Sequence, residues 1–278
     1  MLTIKKCNDI KVHPVPRIGE EDTRPVMGSA MFSELYSNIF CVARKKSGKT
    51  TAIYNIIKKC ASKDTTIIAF VSTLYKDDNW KSIRKLCKDR NIPFVANLSL
   101  IDNGVNLLDE LVEKLQLEAK QREDEKEDDD GEPVKPQSII LFNDSDEDEA
   151  PKKKKSKYRS PEYIIILDDL STELRKPAVA SLLKKNRHFF SKIIVSSQWH
   201  NDLLPESRKQ IDYWLIFKDI PLHKLQELHR DADVHVPFEQ FQKVYHYATK
   251  EPFNFLYVDC GKKEFRKNFS QIITVGSE

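Results

Sequence analysis

The chain has 278 residues, 32% charged and 40% apolar, enough for one large domain or two small ones around a substantial core. Its strongly apolar runs are short (Tyr163–Leu167 is typical), so no segment has the length of a bilayer span, and the N-terminal MLTIKKCNDIKVHP lacks the apolar stretch of a signal peptide. The five cysteines, Cys7, Cys41, Cys60, Cys87 and Cys260, are scattered without a C-x-x-C pair, which argues against a zinc site or a disulfide frame and for reduced thiols in an intracellular protein.

The net charge of +3 hides an asymmetry. Segment 118–150 holds 14 acidic and 4 basic residues, so it carries −10 and leaves +13 on the remainder. A basic body is the electrostatic footprint of a protein that meets phosphate backbones, although many soluble proteins are basic without such a partner.

Residues 1–35, punctuated by Pro14, Pro16 and Pro25, read as a leader strand or loops covering a sheet edge. SNIFCVA (37–43) reads as a buried strand, and TTAIYNIIKKCAS (50–62) as a helix with Ile53, Ile56, Ile57 and Cys60 on one face. TTIIAFVS (65–72) is a second strand, 79–91 a helix with Trp80, Ile83 and Leu86–Cys87 on one side, 92–98 a short strand and 107–123 a helix running into acidic sequence. Segment 124–160 is poor in aromatics and rich in like charges, so it cannot bury enough surface to offset its ordering entropy. It reads as a flexible insertion, with SIILF (138–142) as a short pairing strand inside it. Its KKKKSKYR run (152–159) suits a localisation signal, a DNA-contacting patch or a counter-charge to the acidic run. Beyond it, strands at 163–170, 191–198, 211–217 and 253–259 interleave with helices at 176–189, 221–231 and 237–250. Strands alternating with helices predict an α/β fold with a mostly parallel central sheet covered by helices on both faces.

Between the first strand and first helix stands ARKKSGKTT (43–51), close to the phosphate-loop pattern G-x-x-x-x-G-K-[ST]. In that context backbone N–H groups of Ala43, Arg44, Lys45, Lys46, Ser47, Gly48, Lys49, Thr50 and Thr51 are candidates to cradle phosphates at a helix N-terminus. Lys49 would reach the β- and γ-phosphates and the Thr50 hydroxyl would ligate Mg²⁺. Ala43 replaces the first glycine, a mild departure if its backbone angles suit a residue with a Cβ. YIIILDDL (163–170) then delivers two acids at the end of a buried strand. Asp168 is the candidate metal ligand and Asp169 the candidate for orienting or deprotonating the attacking water; the bland alternative is a pair of solvated acids. KIIVSSQ (192–198) is the candidate strand lying between the loop strand and the acid strand, with Gln198 at its tip as γ-phosphate sensor and Ser196 and Ser197 behind it.

This order of motifs, with Arg187-His188 before the sensor strand and Arg208 before IDYWLIFK, resembles the genome-packaging ATPases of the FtsK–HerA superfamily, of the type found in nucleocytoplasmic large DNA viruses, pox-like viruses and virophages. The resemblance spans roughly residues 36–260 without the charged insertion. It implies a RecA-like P-loop NTPase of the ASCE type, ATP and Mg²⁺ as cofactors, and a homo-oligomeric ring that pumps double-stranded DNA into a preformed capsid. Capsid or packaging-vertex proteins would be further partners, with the protein intracellular in the host, in a viral factory or nucleus, or associated with the virion. A ring ATPase also implies an arginine that reaches a neighbour's site, for which Arg208 and Arg187 are both candidates. The loop centre, Arg44-Lys45-Lys46, is more basic than is usual in the family. On this reading the chain divides into a leader (1–35), an ATPase domain (36–260) with an insertion (124–160), and a tail (261–278). A phosphate-loop kinase and a nucleotide-binding scaffold that hydrolyses nothing are the competing readings.

Overall fold

The computed structural model of the chain describes residues 22–102, 104–127 and 156–276. The strand expected at 138–142 and residues 152–155 of the basic run lie outside that set. The apolar run Asn38–Val42 forms β1, fully buried along its length. Gly48 then turns the chain into α1 (Lys49–Cys60), whose Ala52, Ile53, Ile56, Ile57 and Cys60 are buried at helical spacing. Lys58 and Lys59 close α1 with the charge its dipole favours. β2 (Thr66–Val71), α2 (Asp78–Asp89) and β3 (Phe94–Asn97) follow. A two-residue-strand hairpin, β4 (Ile101–Asp102) with β5 (Val105–Asn106), leads into α3 (Leu107–Glu127). Then come β6 (Tyr163–Asp168), α4 (Pro177–Lys184), β7 (Ser191–Ser197), the single turn α5 (Pro205–Arg208) and β8 (Tyr213–Phe217). The chain closes with α6 (Leu222–Asp231), α7 (Phe238–Ala248), β9 (Phe255–Asp259), β10 (Glu264–Lys267) and β11 (Gln271–Ile273).

All the strands except the β4–β5 hairpin build one nine-stranded sheet in the order β11-β10-β9-β8-β1-β7-β6-β2-β3. From β8 to β3 every pairing is parallel, with β7 lying between β1 and β6. The remaining three strands are antiparallel. β9 runs antiparallel to β8 because a pair of helices, α6 and α7, stands between them. A pair returns the chain to the sheet end where β8 finished, so Phe255 starts beside Phe217 and β9 runs back. Within 261–278, β10 and β11 extend the sheet beyond β9, with β11 at its edge.

Alternating strand residues face two separate cores. Ile164 and Ile166 of β6 pack with α1 and α2, while Tyr163, Ile165 and Leu167 pack with α3, α4, α6 and α7. Residues 31 and 32 cover a face of the sheet, not its edge. The Phe32 ring lies 4.9 Å from that of Tyr213 and 5.8 Å from that of Phe269, with Lys192 Nζ 5.1 Å above it. Phe32→Ala would leave a cavity under β8 and β9 and should cost about 3–4 kcal/mol in urea unfolding. A loss under about 1 kcal/mol would show that this segment does not belong to the core.

Candidate nucleotide-binding site

The end of β1 and the start of α1 enclose a tight loop. Ala43 is wholly buried and its N–H donates to the Ser197 carbonyl at 3.0 Å, tying the loop to β7. Ala43 is not among the residues with positive φ, so a glycine is not needed there. Lys46 and Gly48 do take positive φ, 62° and 103°, and Gly48 is the residue before the first helical turn. The Ser47 hydroxyl donates to the Arg44 carbonyl at 2.6 Å and closes the turn. Arg44, Lys45, Lys46 and Thr51 are exposed, whereas Lys49 is buried and Thr50 half-buried. The loop therefore presents N–H groups at a helix N-terminus with one sheltered cation beneath them.

β6 ends at the same edge of the sheet. Its alternation turns Asp168 onto the face of α1 and α2, where the carboxyl is 2% exposed. Trp80 Nε1 of α2 donates to Asp168 Oδ2 at 3.3 Å. Asp168 Oδ1 is buried with no hydrogen bond of good geometry; the Ser196 hydroxyl of the paired β7 residue stands close enough only to favour the charged form weakly. Burial pushes the Asp168 carboxyl above the ordinary carboxylate range, and the nearby Lys49 charge offsets this only in part. The next residue would normally point to the opposite face. Asp169 instead adopts φ 53°, outside strand geometry, and its carboxylate meets Lys49 Nζ at 2.5 Å. Its N–H donates to the Ser196 carbonyl at 3.0 Å, which fixes the turn. The left-handed residue is what lets two consecutive acids serve one pocket.

An orphaned, desolvated carboxyl oxygen beside a phosphate loop is poor as a finished structural element, because a buried anion needs a partner. It fits the hard oxygen ligand of a divalent cation. Thr50 supplies a second oxygen, at present donating to Asp77 Oδ2 at 3.2 Å. Asp168 and Thr50 would thus hold Mg²⁺, which when bound neutralises charge on a triphosphate. Gln198 follows β7 immediately and is half-buried at this same sheet edge. Ser197 is spent on a hydrogen bond to Asp202.

The two candidate arginines stand apart from this cluster. Arg208 is mostly buried, its guanidinium donating to Asn201 and lying 3.2 Å from Asp231 Oδ2, within a cage that also holds His200 and Glu227. Burial holds the His200 imidazole neutral, down at about 4. Arg187 is exposed on the turn before β7, at the opposite edge of the sheet from the phosphate loop, and its charge acts on Asp212. Neither touches the site of its own chain.

Two residues of the site were not anticipated. Asp77 caps α2 through a bond from Asn79 N–H at 2.9 Å and turns its other oxygen to Thr50. The run Asp77-Asp78-Asn79 before an amphipathic helix is a legible cap, but its second contact depends on how α1 and α2 pack. Trp80 was legible as a core residue, while its bond to Asp168 was not.

By sequence, no family model and no curated protein matches the chain. By structure, it is similar to the genome packaging NTPase B204 from Sulfolobus turreted icosahedral virus 2 in complex with AMP, with a TM-score of 0.52, 17% identity, and 88% of this chain and 100% of that one covered. The same protein in complex with ATP-gammaS gives a TM-score of 0.50 at 17% identity over 87% of this chain and 98% of that one. With sulfate the values are 0.50 and 19% over 88% and 99%. These likenesses establish the fold, an α/β P-loop architecture with a large, mostly parallel sheet and helices on both faces.

Removing the Asp168 charge should stabilise the empty protein. A carboxyl whose folded pKa is raised is neutral in both states below the ordinary carboxylate value, and imposes its full penalty only above the raised one. Asp168→Asn should therefore melt above wild type at neutral pH, with the gap closing as pH falls, when thermal unfolding is followed by circular dichroism. A gap independent of pH would show that the carboxylate is not the source of the strain.

Proposed function

We propose that this chain is an ATP-driven translocase of double-stranded DNA, related to the FtsK–HerA genome-packaging ATPases and working as a homo-oligomeric ring. The observation that carries the reading is the junction of Lys49 with Asp169 at 2.5 Å, at the ends of two strands separated by a third with a polar tip. Lys49 is placed to balance phosphate charge, and Asp169 to orient or deprotonate water once the lysine turns to a nucleotide. Gln198, at the end of the intervening strand, suits a sensor of the terminal phosphate. A kinase of small molecules has no use for such an intervening strand. The similar packaging NTPase B204 is described with AMP and ATP-gammaS, which supports a nucleotide at the equivalent loop here.

DNA enters the reading through the basic body of the chain, +13 outside segment 118–150. Contacts to phosphates would make binding indifferent to sequence and steeply dependent on salt. Because Arg208 and Arg187 are both remote from their own site, an arginine acting on phosphate would come from a neighbouring subunit. Of the two, Arg187 has a guanidinium free of hydrogen bonds and ion pairs among the described residues, so it is the better placed to swing across a subunit boundary. Capsid proteins are the partners such a motor would dock on.

The test is steady-state ATP hydrolysis with Mg²⁺, with and without double-stranded DNA, over a range of protein concentrations. Turnover should rise with DNA, and activity per chain should rise with concentration. Lys49→Ala should abolish nucleotide binding, and Asp169→Asn should bind ATP while losing at least about 10²-fold in turnover. Wild-type turnover in Asp169→Asn would remove that residue from the chemistry. Tight ATP binding without hydrolysis, indifferent to DNA, would favour a nucleotide-binding scaffold.

A further inference from the structure

Phe253 sits where an exposed phenylalanine has no structural task. It is 69% exposed, and its ring pairs with no other aromatic among the described residues. Its φ of 66° is a left-handed conformation, costly for a bulky side chain and retained only where the surroundings impose it. Those surroundings are well braced. Lys218 Nζ at the end of β8 donates to the Lys250 carbonyl at 3.2 Å, and Lys267 Nζ reaches Glu251 at 3.0 Å. Asn254 is held by Glu251 at 2.8 Å and by Asn268 at 2.7 Å.

The turn places Phe253 directly against the phosphate loop. A Cβ at Gly48 would lie 3.6 Å from both Cβ and Cδ1 of Phe253, and 3.7 Å from Cε1 of Phe217. The direction also fits. Asp168 and Asp169 stand on the β6 side of β1, beyond β7, whereas Phe253 stands on the other side, where β8 ends and β9 begins. A triphosphate whose terminal phosphate faces the acids has its nucleoside end directed toward β8 and β9. An exposed, pre-set aromatic face at that end matches the flat π surface of a nucleobase.

We propose that Phe253 is the stacking platform for the base of the nucleoside triphosphate bound at the phosphate loop. The inference rests on the nucleotide site proposed above and adds its base-binding end. Stacking reads a π face and not a hydrogen-bond pattern, so ATP and GTP should depend on Phe253 to a similar degree, purines more than pyrimidines.

Titration calorimetry with Mg-ATP and with Mg-tripolyphosphate, which has the phosphates and no base, separates the two ideas. Wild type should bind both. Phe253→Ala should weaken ATP on the order of 10-fold and leave tripolyphosphate unchanged. Phe253→Leu, which keeps apolar bulk against Gly48, should behave like the alanine variant, and Phe253→Trp should restore ATP affinity. Equal loss of both ligands in Phe253→Ala and Phe253→Leu would mean that the ring merely props the loop, and would overturn the proposal. Unchanged ATP affinity in both variants would overturn it while leaving the nucleotide site intact. Failure of the wild type to bind either ligand would overturn the site and the platform together.

Discussion

The carboxylate of Asp168 is desolvated at the end of a strand built from Tyr163, Ile164, Ile165, Ile166 and Leu167, all buried. Placing a negative charge there is unfavourable, and the surrounding structure can be understood as the arrangement that tolerates it. Lys49 brings a positive charge from the first turn of α1, Trp80 brings an N–H from α2, and one oxygen is left without a hydrogen bond of good geometry. The sheet order makes this possible. β7 separates β1 from β6, so the lysine and the acids meet across one strand width at the ends of the strands instead of within the core.

The Lys49–Asp169 pair completes that balance in the empty site. With side chains 7% and 22% exposed, it is sheltered enough to matter, and on the proposed function it occupies both groups that the chemistry would need free. On the proposed function, an incoming triphosphate would compete with Asp169 for the lysine. Were the lysine to turn to phosphate, Asp169 would be released on a backbone already held in a left-handed turn by its own N–H bond to the Ser196 carbonyl. The acid would keep its place while losing its cation. Strain of this type gathers along the edge. Lys46, Gly48, Asp169, Ser171, Asp219 and Phe253 all take positive φ where the parallel strands finish or β9 begins.

Much of this was legible in the sequence, for simple reasons. Fully buried parallel strands are continuous apolar runs, so β1, β2, β6, β7 and β8 declare themselves, and α1 shows its Ile53-Ile56-Ile57-Cys60 stripe. The phosphate loop and the Asp168-Asp169 pair are local patterns at the ends of such runs. The illegible parts were those set by long-range packing or by weak local signals. β10 reads Glu264-Phe265-Arg266-Lys267, polar and short because it lies near the sheet edge, and β11 is largely exposed. The reversal of β9 depends on how the two helices read at 221–231 and 237–250 pack together and return the chain to the sheet, which no local pattern declares. Arg208 carried no sign that Asn201 and Asp231 would enclose it, since those residues come from a 3-10 turn and from α6.

The enclosure of Arg208 has a mechanical consequence. Asn201 and Asp202 lie directly after the Gln198 tip, and they connect it to Arg208 on one side and to Ser197 on the other. His200 in the same turn sits 2.9 Å from Glu227 of α6, and burial keeps it neutral near pH 7. A displacement of the β7 tip cannot therefore be absorbed by the loop alone. It would be shared with α5 and α6 through these part-buried bonds and through His200, which is itself buried. α5 leads into β8, and α6 follows β8 and continues through α7 to the turn that carries Phe253. The two ends of the proposed nucleotide site, the terminal-phosphate sensor and the base platform, would thus be joined both along this chain path and through the loop, where Ala43 bonds to Ser197 and Gly48 lies against Phe253.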